Sequence, residues 1–166
     1  MNRWSVGRGL AVVSFVALLA GCSGAEWQRV QVTPGYQPPK EVKIAVVTQA
    51  TGPNMDDAII ELREALADEF AAQGVKATFV EKAADVPSAE LSVVEWDRGV
   101  RALRWLGFGG EGHIVIIVKS GAAAGQPGLD GQSRGFVRSG WFGGSSYNAA
   151  TYAGHQIART IATGKP

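Results

Sequence analysis

Cysteine and histidine are scarce in this sequence, which has one cysteine, Cys22, and two histidines among its 166 residues. A single cysteine cannot form a disulfide within the chain, so packing alone must stabilise the folded part. A zinc site built from several cysteines is excluded for the same reason. Charge of neither sign dominates, with 16 basic and 15 acidic side chains. Because a concentrated positive field is missing, we expect no binding to nucleic acid.

Long apolar runs are also missing, and the run near the N-terminus is too short to remain a membrane span. Residues 10–20 (LAVVSFVALLA) follow Arg3 and Arg8 and end in small side chains, as in a secretory signal peptide. A membrane-spanning helix needs about 20 apolar residues. The run closes with residues 19–22 (LAGC), which resemble the lipobox of bacterial lipoproteins.

The lipobox resemblance implies that signal peptidase cleaves between Gly21 and Cys22 and removes residues 1–21. It also implies a covalent lipid on Cys22, made of diacylglycerol and an N-acyl chain such as palmitate, and no other cofactor. The next residue is Ser23 rather than aspartate, which by the lipoprotein sorting rule implies the outer membrane. We therefore expect the protein on the inner leaflet of that membrane, facing the periplasm and attached through its lipid.

The remainder of the chain is predicted to consist of a tether, residues 22–41, and a single globular domain, residues 42–166. Pro34, Pro38 and Pro39 favour extended backbone within the predicted tether. Such a segment is expected to hold the domain away from the bilayer.

The apolar periodicity of the domain predicts an α/β fold of the two-layer α+β kind, in the order βαββββα. Two helices are expected on one face of a mixed sheet. The predicted strands are residues 42–49, 75–81, 90–97, 114–119 and 135–142, and the predicted helices are residues 55–73 and 147–162. Residues 120–134 are rich in glycine, alanine and glutamine and are predicted to form a long hairpin loop.

Both predicted helices have a defined buried face. In the first helix, which Asn54 is predicted to cap, this face comprises Met55, Ile59, Leu62, Leu66, Phe70 and Gln73. The opposite face is acidic and is expected to be solvated; it comprises Asp57, Glu61, Glu64 and Asp68. In the last helix, with Ser145 or Ser146 as its predicted cap, the buried side comprises Tyr147, Ala150, Gly154, Ile157, Ala158 and Ile161.

Residues 99–112 (GVRALRWLGFGGEG) form the most unusual segment of the predicted domain. Its positive side chains alternate with apolar ones, and two interpretations remain open. As a helix it would be basic and amphipathic, suited to a membrane surface or a partner groove. As a glycine-rich arch it would fold its apolar residues back onto the core, and this interpretation is favoured. The candidate interaction residues are Arg101, Arg104, Trp105, Leu106 and Phe108.

Two short motifs carry a family resemblance. Residues 101–109 (RALRWLGFG) precede a strand, and residues 142–145 (FGGS) precede the last helix. These motifs resemble a bacterial lipoprotein family catalogued as domain of unknown function 4410, over roughly residues 42–166. The resemblance implies an early strand–helix pair and a lipobox, and it brings no established activity. The sequence departs from the family pattern at residues 120–134. The predicted layout is also similar to that of small lipoprotein domains in envelope assemblies, such as the curli secretion channel.

We therefore expect a non-enzymatic, lipid-anchored periplasmic module that binds an envelope protein or self-associates. No residue is assigned as catalytic or as a metal ligand in this interpretation. Two alternatives remain open. One is an oligomeric pore or secretion-assembly component that uses residues 99–112. The other is a small metal-dependent hydrolase that uses His113, Glu111 and His155, because imidazole and carboxylate groups are common metal ligands.

Overall fold

The computed structural model of the chain describes residues 23–81, 88–106, 109–121, 127–138 and 145–166. The fold is α+β with a mixed sheet, as predicted. Its elements in these ranges are β1 Ser23–Val32, β2 Glu41–Thr48, α1 Met55–Ala72, β3 Lys76–Phe79, β4 Ala89–Asp97, α2 Arg101–Trp105, β5 Gly112–Ser120, β6 Leu129–Val137 and α3 Asn148–Thr163.

The six strands form one sheet in the order β1-β6-β5-β4-β2-β3. Strand β2 is parallel to both β3 and β4, whereas the pairs β4–β5, β5–β6 and β1–β6 are antiparallel. The unit β2-α1-β3 is therefore the parallel strand–helix–strand unit that the sequence pattern predicts. Parallel neighbours need a long crossover, and α1 supplies it.

Helices α1 and α3 pack against each other and against the sheet. Fully buried side chains of α1, α3 and β5 meet in one core, which includes Leu62, Leu66, Phe70, Ile114, Ile116, Ile157 and Ile161. Burying each such side chain contributes about 1.5–3 kcal/mol. The two helices approach closely at Gly154, where an added Cβ would lie 2.8 Å from Ala65 Cβ. The small residues predicted on the buried side of α3 are thus explained by this close approach.

The sheet begins earlier than the sequence predicts, because residues 23–32 form strand β1 instead of the first part of a tether. This strand lies at the edge of the sheet and pairs antiparallel with β6. Trp27 packs against the core, and its Nε1 donates a 3.2 Å hydrogen bond to Thr160 Oγ1. Strand β1 lies at the edge of the sheet and exposes many polar side chains. Its sequence therefore lacks the apolar pattern by which the other strands were predicted.

The last strand also differs from the prediction, since β6 spans Leu129–Val137 and not residues 135–142. Residues 129–134, predicted as loop, are paired on both sides, with β1 and with β5. Gly131, which suggested a turn in the loop, and Gly135, which was predicted to begin the strand, are both required by packing. An added Cβ at Gly131 would lie 2.7 Å from the Trp27 ring, and one at Gly135 would collide with the Ala149 carbonyl.

The start of α1 differs from the predicted cap. Asn54 adopts a left-handed backbone conformation (φ 58°) and makes no side-chain capping bond to the helix. Its amide instead donates to Asp57 Oδ2 at 3.2 Å. The acidic face is only partly solvated, because Asp57 accepts a hydrogen bond from Tyr147 and Glu61 accepts one from Thr151.

None of the helices within the described ranges is long and apolar enough to cross a lipid bilayer.

Candidate interaction site

A short helix, α2, projects from one end of the sheet between β4 and β5. Three large apolar side chains on and beside it are exposed to solvent: Val100 is 52% exposed, Leu103 41% and Leu106 55%. We call these three residues the α2 apolar surface. Exposed apolar side chains are common singly, but a cluster on one short segment is typical of an interaction site.

The α2 apolar surface lies at the same end of the sheet as the start of β1. In the ladder between β5 and β6, Gly112 pairs with Val137. In the ladder between β1 and β6, Ser23 pairs with the same Val137. Since α2 lies between β4 and β5, it is at the same end of the sheet as the start of β1, with β6 between β5 and β1.

The buried side chain of Arg104 attaches α2 to the rest of the fold. Its side chain is only 1% exposed. Nη1 donates to the carbonyl oxygens of Arg98 at 2.8 Å and Gly110 at 2.9 Å, and Nη2 donates to Ser146 Oγ at 2.9 Å. One side chain therefore joins the end of β4, the segment before β5 and the turn before α3.

Two glycines let the backbone pass closely around this guanidinium group. Gly99 (φ 62°) and Gly110 (φ 76°) both have left-handed backbone conformations. A Cβ on Gly99 would lie 2.6 Å from Arg104 Nη1, and one on Gly110 would lie 2.9 Å from Leu103 Cβ. Only glycine fits both the backbone conformation and the space.

Aromatic stacking links this end of the sheet to the helices. The rings of Trp96 and Tyr147 are stacked, with centroids 6.3 Å apart and planes 8° from parallel. Trp96 Nε1 donates to the Pro53 carbonyl at 3.0 Å, and the Tyr147 hydroxyl donates to Asp57 Oδ2 at 3.0 Å. Desolvation, and then the hydrogen bond to Asp57, raise the pKa of Tyr147. Trp96 and Tyr147 therefore link the end of β4 to the start of α1 and to the turn before α3.

The charge around α2 is positive. Burial lowers the pKa of Arg104, and the like charges of Arg101 and Arg98 lower it further, while Asp97 acts in the opposite direction. Asp97 Oδ1 accepts a 2.7 Å hydrogen bond from the Gly99 amide, so it stabilises the turn that leads into α2.

The predicted interaction residues divide into exposed and buried ones. Arg101 and Leu106 are exposed, as a contact role requires. Arg104 is buried and its donors bond the fold itself, so within the described structure it acts as an anchoring residue. The Trp105 side chain and Phe108 lie outside the described residues, as do Gly21 and Cys22.

Neither sequence interpretation of residues 99–112 is fully correct. The segment contains a helix, but it is only five residues long. The favoured arch is wrong in one respect, because the α2 apolar surface does not fold back onto the core. The sequence did not distinguish a helix from an arch because arginines and apolar residues both recur every three positions. Periodicity therefore does not show which of the two sets faces inward.

The three residues of the hydrolase alternative are not brought together. His113 Nε2 lies 2.8 Å from Glu95 Oε1, and Glu111 pairs with Arg134 at 2.6 Å. His155, on α3, lies 3.3 Å from Glu69 Oε2. Across the described part of the chain, no group of three histidine, cysteine, aspartate or glutamate side chains is arranged to hold a metal ion. The predicted constellation is therefore wrong.

A second polar cluster, which the sequence did not predict, lies between α1 and α3. Glu69 is only 7% exposed. Arg159 donates two hydrogen bonds to its carboxylate, Nε to Oε1 at 2.9 Å and Nη2 to Oε2 at 3.2 Å. Gln73 Nε2 donates a third, to Oε1 at 3.0 Å. The Arg159 hydrogen bond lowers the pKa of Glu69.

This cluster borders an open cavity of about 560 Å³, whose lining also includes Tyr152, His155 and Lys165. The only sequence signal for Glu69 was its position between the apolar residues Leu66 and Phe70 on the helix. That position is equally compatible with a solvated side chain at the edge of the apolar face.

No family model matches this chain, and no curated protein matches it in sequence. Its fold is similar to the PelC dodecamer from Paraburkholderia phytofirmans in space group P6, with TM-score 0.50 and 16% identity over 82% of this chain and 95% of that chain. A point variant of that PelC, also a dodecamer, in space group C2, gives TM-score 0.52 and 15% identity over 85% of this chain and 98% of that one.

A minor lipoprotein from Acinetobacter baumannii aligns over 74% of this chain and 93% of that chain, with 13% identity and TM-score 0.40. At these identities the likeness concerns the fold alone.

Proposed function

We propose that this protein is a non-enzymatic, lipid-anchored envelope lipoprotein that self-associates through the α2 apolar surface. The observation that carries the proposal is the exposure of Val100, Leu103 and Leu106 on a segment that Arg104 holds in place. A rigid apolar surface loses little conformational entropy on association, so its burial against a second copy is favourable.

The fold similarity supports a second copy as the occupant of this surface. Both PelC structures are dodecamers, and the alignment covers nearly the whole of each PelC chain. A homo-oligomer of this chain also accommodates the alternative in which copies assemble into a pore or secretion component through residues 99–112.

The lipid anchor is supported by the sequence alone. Residues 19–22 (LAGC) match a lipobox, with Cys22 as the lipidated residue and Ser23 as the residue that directs the protein to the outer membrane. The resemblance to the family with domain of unknown function 4410 is likewise supported by the sequence motifs alone, at residues 101–109 and 142–145.

The absence of an enzymatic role is supported by the separate pairing of the candidate catalytic groups. His113 is bonded to Glu95, and Glu111 is held by Arg134 and Arg138. These histidine and glutamate side chains thus make ion pairs within the fold and do not converge on one site.

Sedimentation of the full-length protein in a non-ionic detergent tests the role of the α2 apolar surface. The double variant Leu103→Glu with Leu106→Glu should shift the protein from oligomer to monomer, because burying the new carboxylates between copies is unfavourable. Ile60→Glu is the matched control, since Ile60 is 54% exposed on α1 and lies outside this surface. A monomeric wild-type protein, or oligomers that survive the double substitution, would contradict the proposal.

A further inference from the structure

A small, partly open cavity lies beside α2, and Val100 of the α2 apolar surface forms part of its lining. It has a volume of about 270 Å³, and its lining includes Arg98, Arg101, Arg104, Ser145 and Tyr147. Sites for complete small molecules usually measure about 300–1,000 Å³. This cavity therefore suits one polar group, or the end of a larger ligand, better than a whole drug-sized molecule.

Three guanidinium groups line this cavity without an acidic partner. None of the ion pairs between described residues involves Arg98, Arg101 or Arg104. The one carboxylate whose field reaches Arg104 is Asp97, and its Oδ1 accepts a hydrogen bond from the Gly99 amide. The local charge is consequently positive and uncompensated by direct contact.

The burial of Arg104 makes its uncompensated positive charge unfavourable. Its guanidinium bonds only uncharged oxygens, the carbonyls of Arg98 and Gly110 and the hydroxyl of Ser146. Its Nε is buried and has no hydrogen-bond partner among the described residues. A buried ionised group is ordinarily matched by an opposite charge, so an anion bound beside Arg104 would be stabilised.

We propose that this cavity binds a phosphate group, with Arg98 and Arg101 as its charged ligands at the rim and Arg104 as the buried cation behind them. Phosphate suits the site better than a carboxylate does, because it carries about two charges and three free oxygens in a non-planar arrangement. A carboxylate is satisfied by one planar guanidinium fork. Ser145, an exposed residue in the cavity lining, offers a hydroxyl as an additional donor.

Binding is testable by isothermal titration calorimetry of the full-length protein in non-ionic detergent at constant ionic strength. Inorganic phosphate should bind saturably, and acetate should bind at least about tenfold more weakly because it carries half the charge. Glycerol phosphate is the third titrant. Tighter binding of glycerol phosphate than of phosphate would identify a phosphomonoester such as a lipid headgroup as the source, and equal binding would identify free phosphate.

Arg101→Gln is the informative variant, because Arg101 is exposed and makes no hydrogen bond that holds the described fold together. It should weaken phosphate binding about tenfold, as expected for the loss of one charge-assisted hydrogen bond. Arg29→Gln, an exposed change on β1, removes the same charge away from the cavity and should leave the affinity unchanged. The absence of saturable binding, equal affinities for acetate and phosphate, or equal losses in the two variants would each overturn the proposal.

The cavity lining shares Val100 with the α2 apolar surface, but the arginines proposed to bind phosphate are not part of that surface. The calorimetric test measures phosphate affinity, whereas the sedimentation test measures oligomeric state, so either proposal can fail while the other holds.

Discussion

Arg104 Nη2 donates a 2.9 Å hydrogen bond to Ser146 Oγ, joining two residues that are 42 positions apart in the sequence. Ser146 Oγ donates onward to the Arg98 carbonyl at 2.6 Å, and that same carbonyl accepts from Arg104 Nη1. The three groups close a small ring of hydrogen bonds between α2, the end of β4 and the turn before α3. The position of α2 therefore depends on one guanidinium group.

Arg104→Lys should destabilise the protein although it preserves the positive charge. A lysine ammonium cannot reproduce the planar set of donors that reaches the two carbonyls and the hydroxyl. We expect the free energy of unfolding to fall by about 2–4 kcal/mol, because several buried acceptors lose their partners. Chemical denaturation measures this, and the exposed Arg101→Lys should stay within about 0.5 kcal/mol of wild type. Similar effects for the two variants would contradict the anchoring role of Arg104.

Gly99→Ala should be far more destabilising than Gly74→Ala, although both glycines have left-handed backbone conformations, with φ 62° and φ 70°. The backbone penalty, about 1–2 kcal/mol, is common to both substitutions. Only at Gly99 does the new methyl group also collide with the Gly110 and Glu111 carbonyls, since nothing lies within 4 Å of an added Cβ at Gly74. Thermal unfolding of both variants measures the difference. Equal losses of thermal stability in the two variants would show that the backbone around Arg104 shifts to accommodate the methyl group at little cost.

Glu69→Gln should destabilise the protein at neutral pH and should have a smaller effect in acid. The Arg159 hydrogen bond lowers the pKa of Glu69 from its ordinary value of 4.5, so the folded state favours the ionised carboxylate. Its contribution is complete above that ordinary pKa and disappears as the pH falls through the lower, folded-state pKa. We expect a loss of about 1–3 kcal/mol at neutral pH.

The difference between wild type and Glu69→Gln in thermal unfolding should narrow towards about pH 3. Glu64→Gln, on the exposed side of the same helix, is the matched control and should show little difference at either pH. A gap that stays constant with pH would mean that packing, and not ionisation, makes Glu69 important.

Cys22→Ser should abolish lipid attachment, because a hydroxyl does not replace the thiol in the lipidation reaction that the lipobox implies. Metabolic labelling with a palmitate analogue and the electrophoretic mobility of the precursor measure the change. We expect an unlabelled, unprocessed chain, whereas Ser23→Ala should be labelled and cleaved normally. Labelling and cleavage of the Cys22→Ser chain would refute the anchor.

The central layers of the fold were predictable because their residues follow simple periods. Strand β2 and helix α1 bury side chains at strand and helix spacing, and both appear close to their predicted positions. The buried side of α3 was likewise evident, since Ala150, Gly154 and Ile157 are all buried. These elements contact the core with a continuous apolar face, which is what periodicity detects.

Strands β1 and β6 were not predictable because neither has the unbroken apolar alternation typical of a strand. Edge strand β1 exposes polar residues, and β6 contains glycines that make room for Trp27 and for the backbone of α3. At the candidate site, the segment was identified but the role of Arg104 was not. Three arginines spaced three apart are equivalent in sequence, and only the contacts with Ser146 and Gly110 distinguish the buried one.

The pairing of Ser23 with Val137, beside Gly112, has a geometric consequence for a chain lipidated at Cys22. The attachment point would then be bonded to Ser23, at the end of the sheet that carries α2. All copies in one leaflet would carry the α2 apolar surface at the end of the sheet that is tethered to the membrane. Encounters between copies become lateral, and their effective concentration rises without any change in the contact itself. Assembly confined to a plane can thus proceed from a contact too weak to persist in free solution.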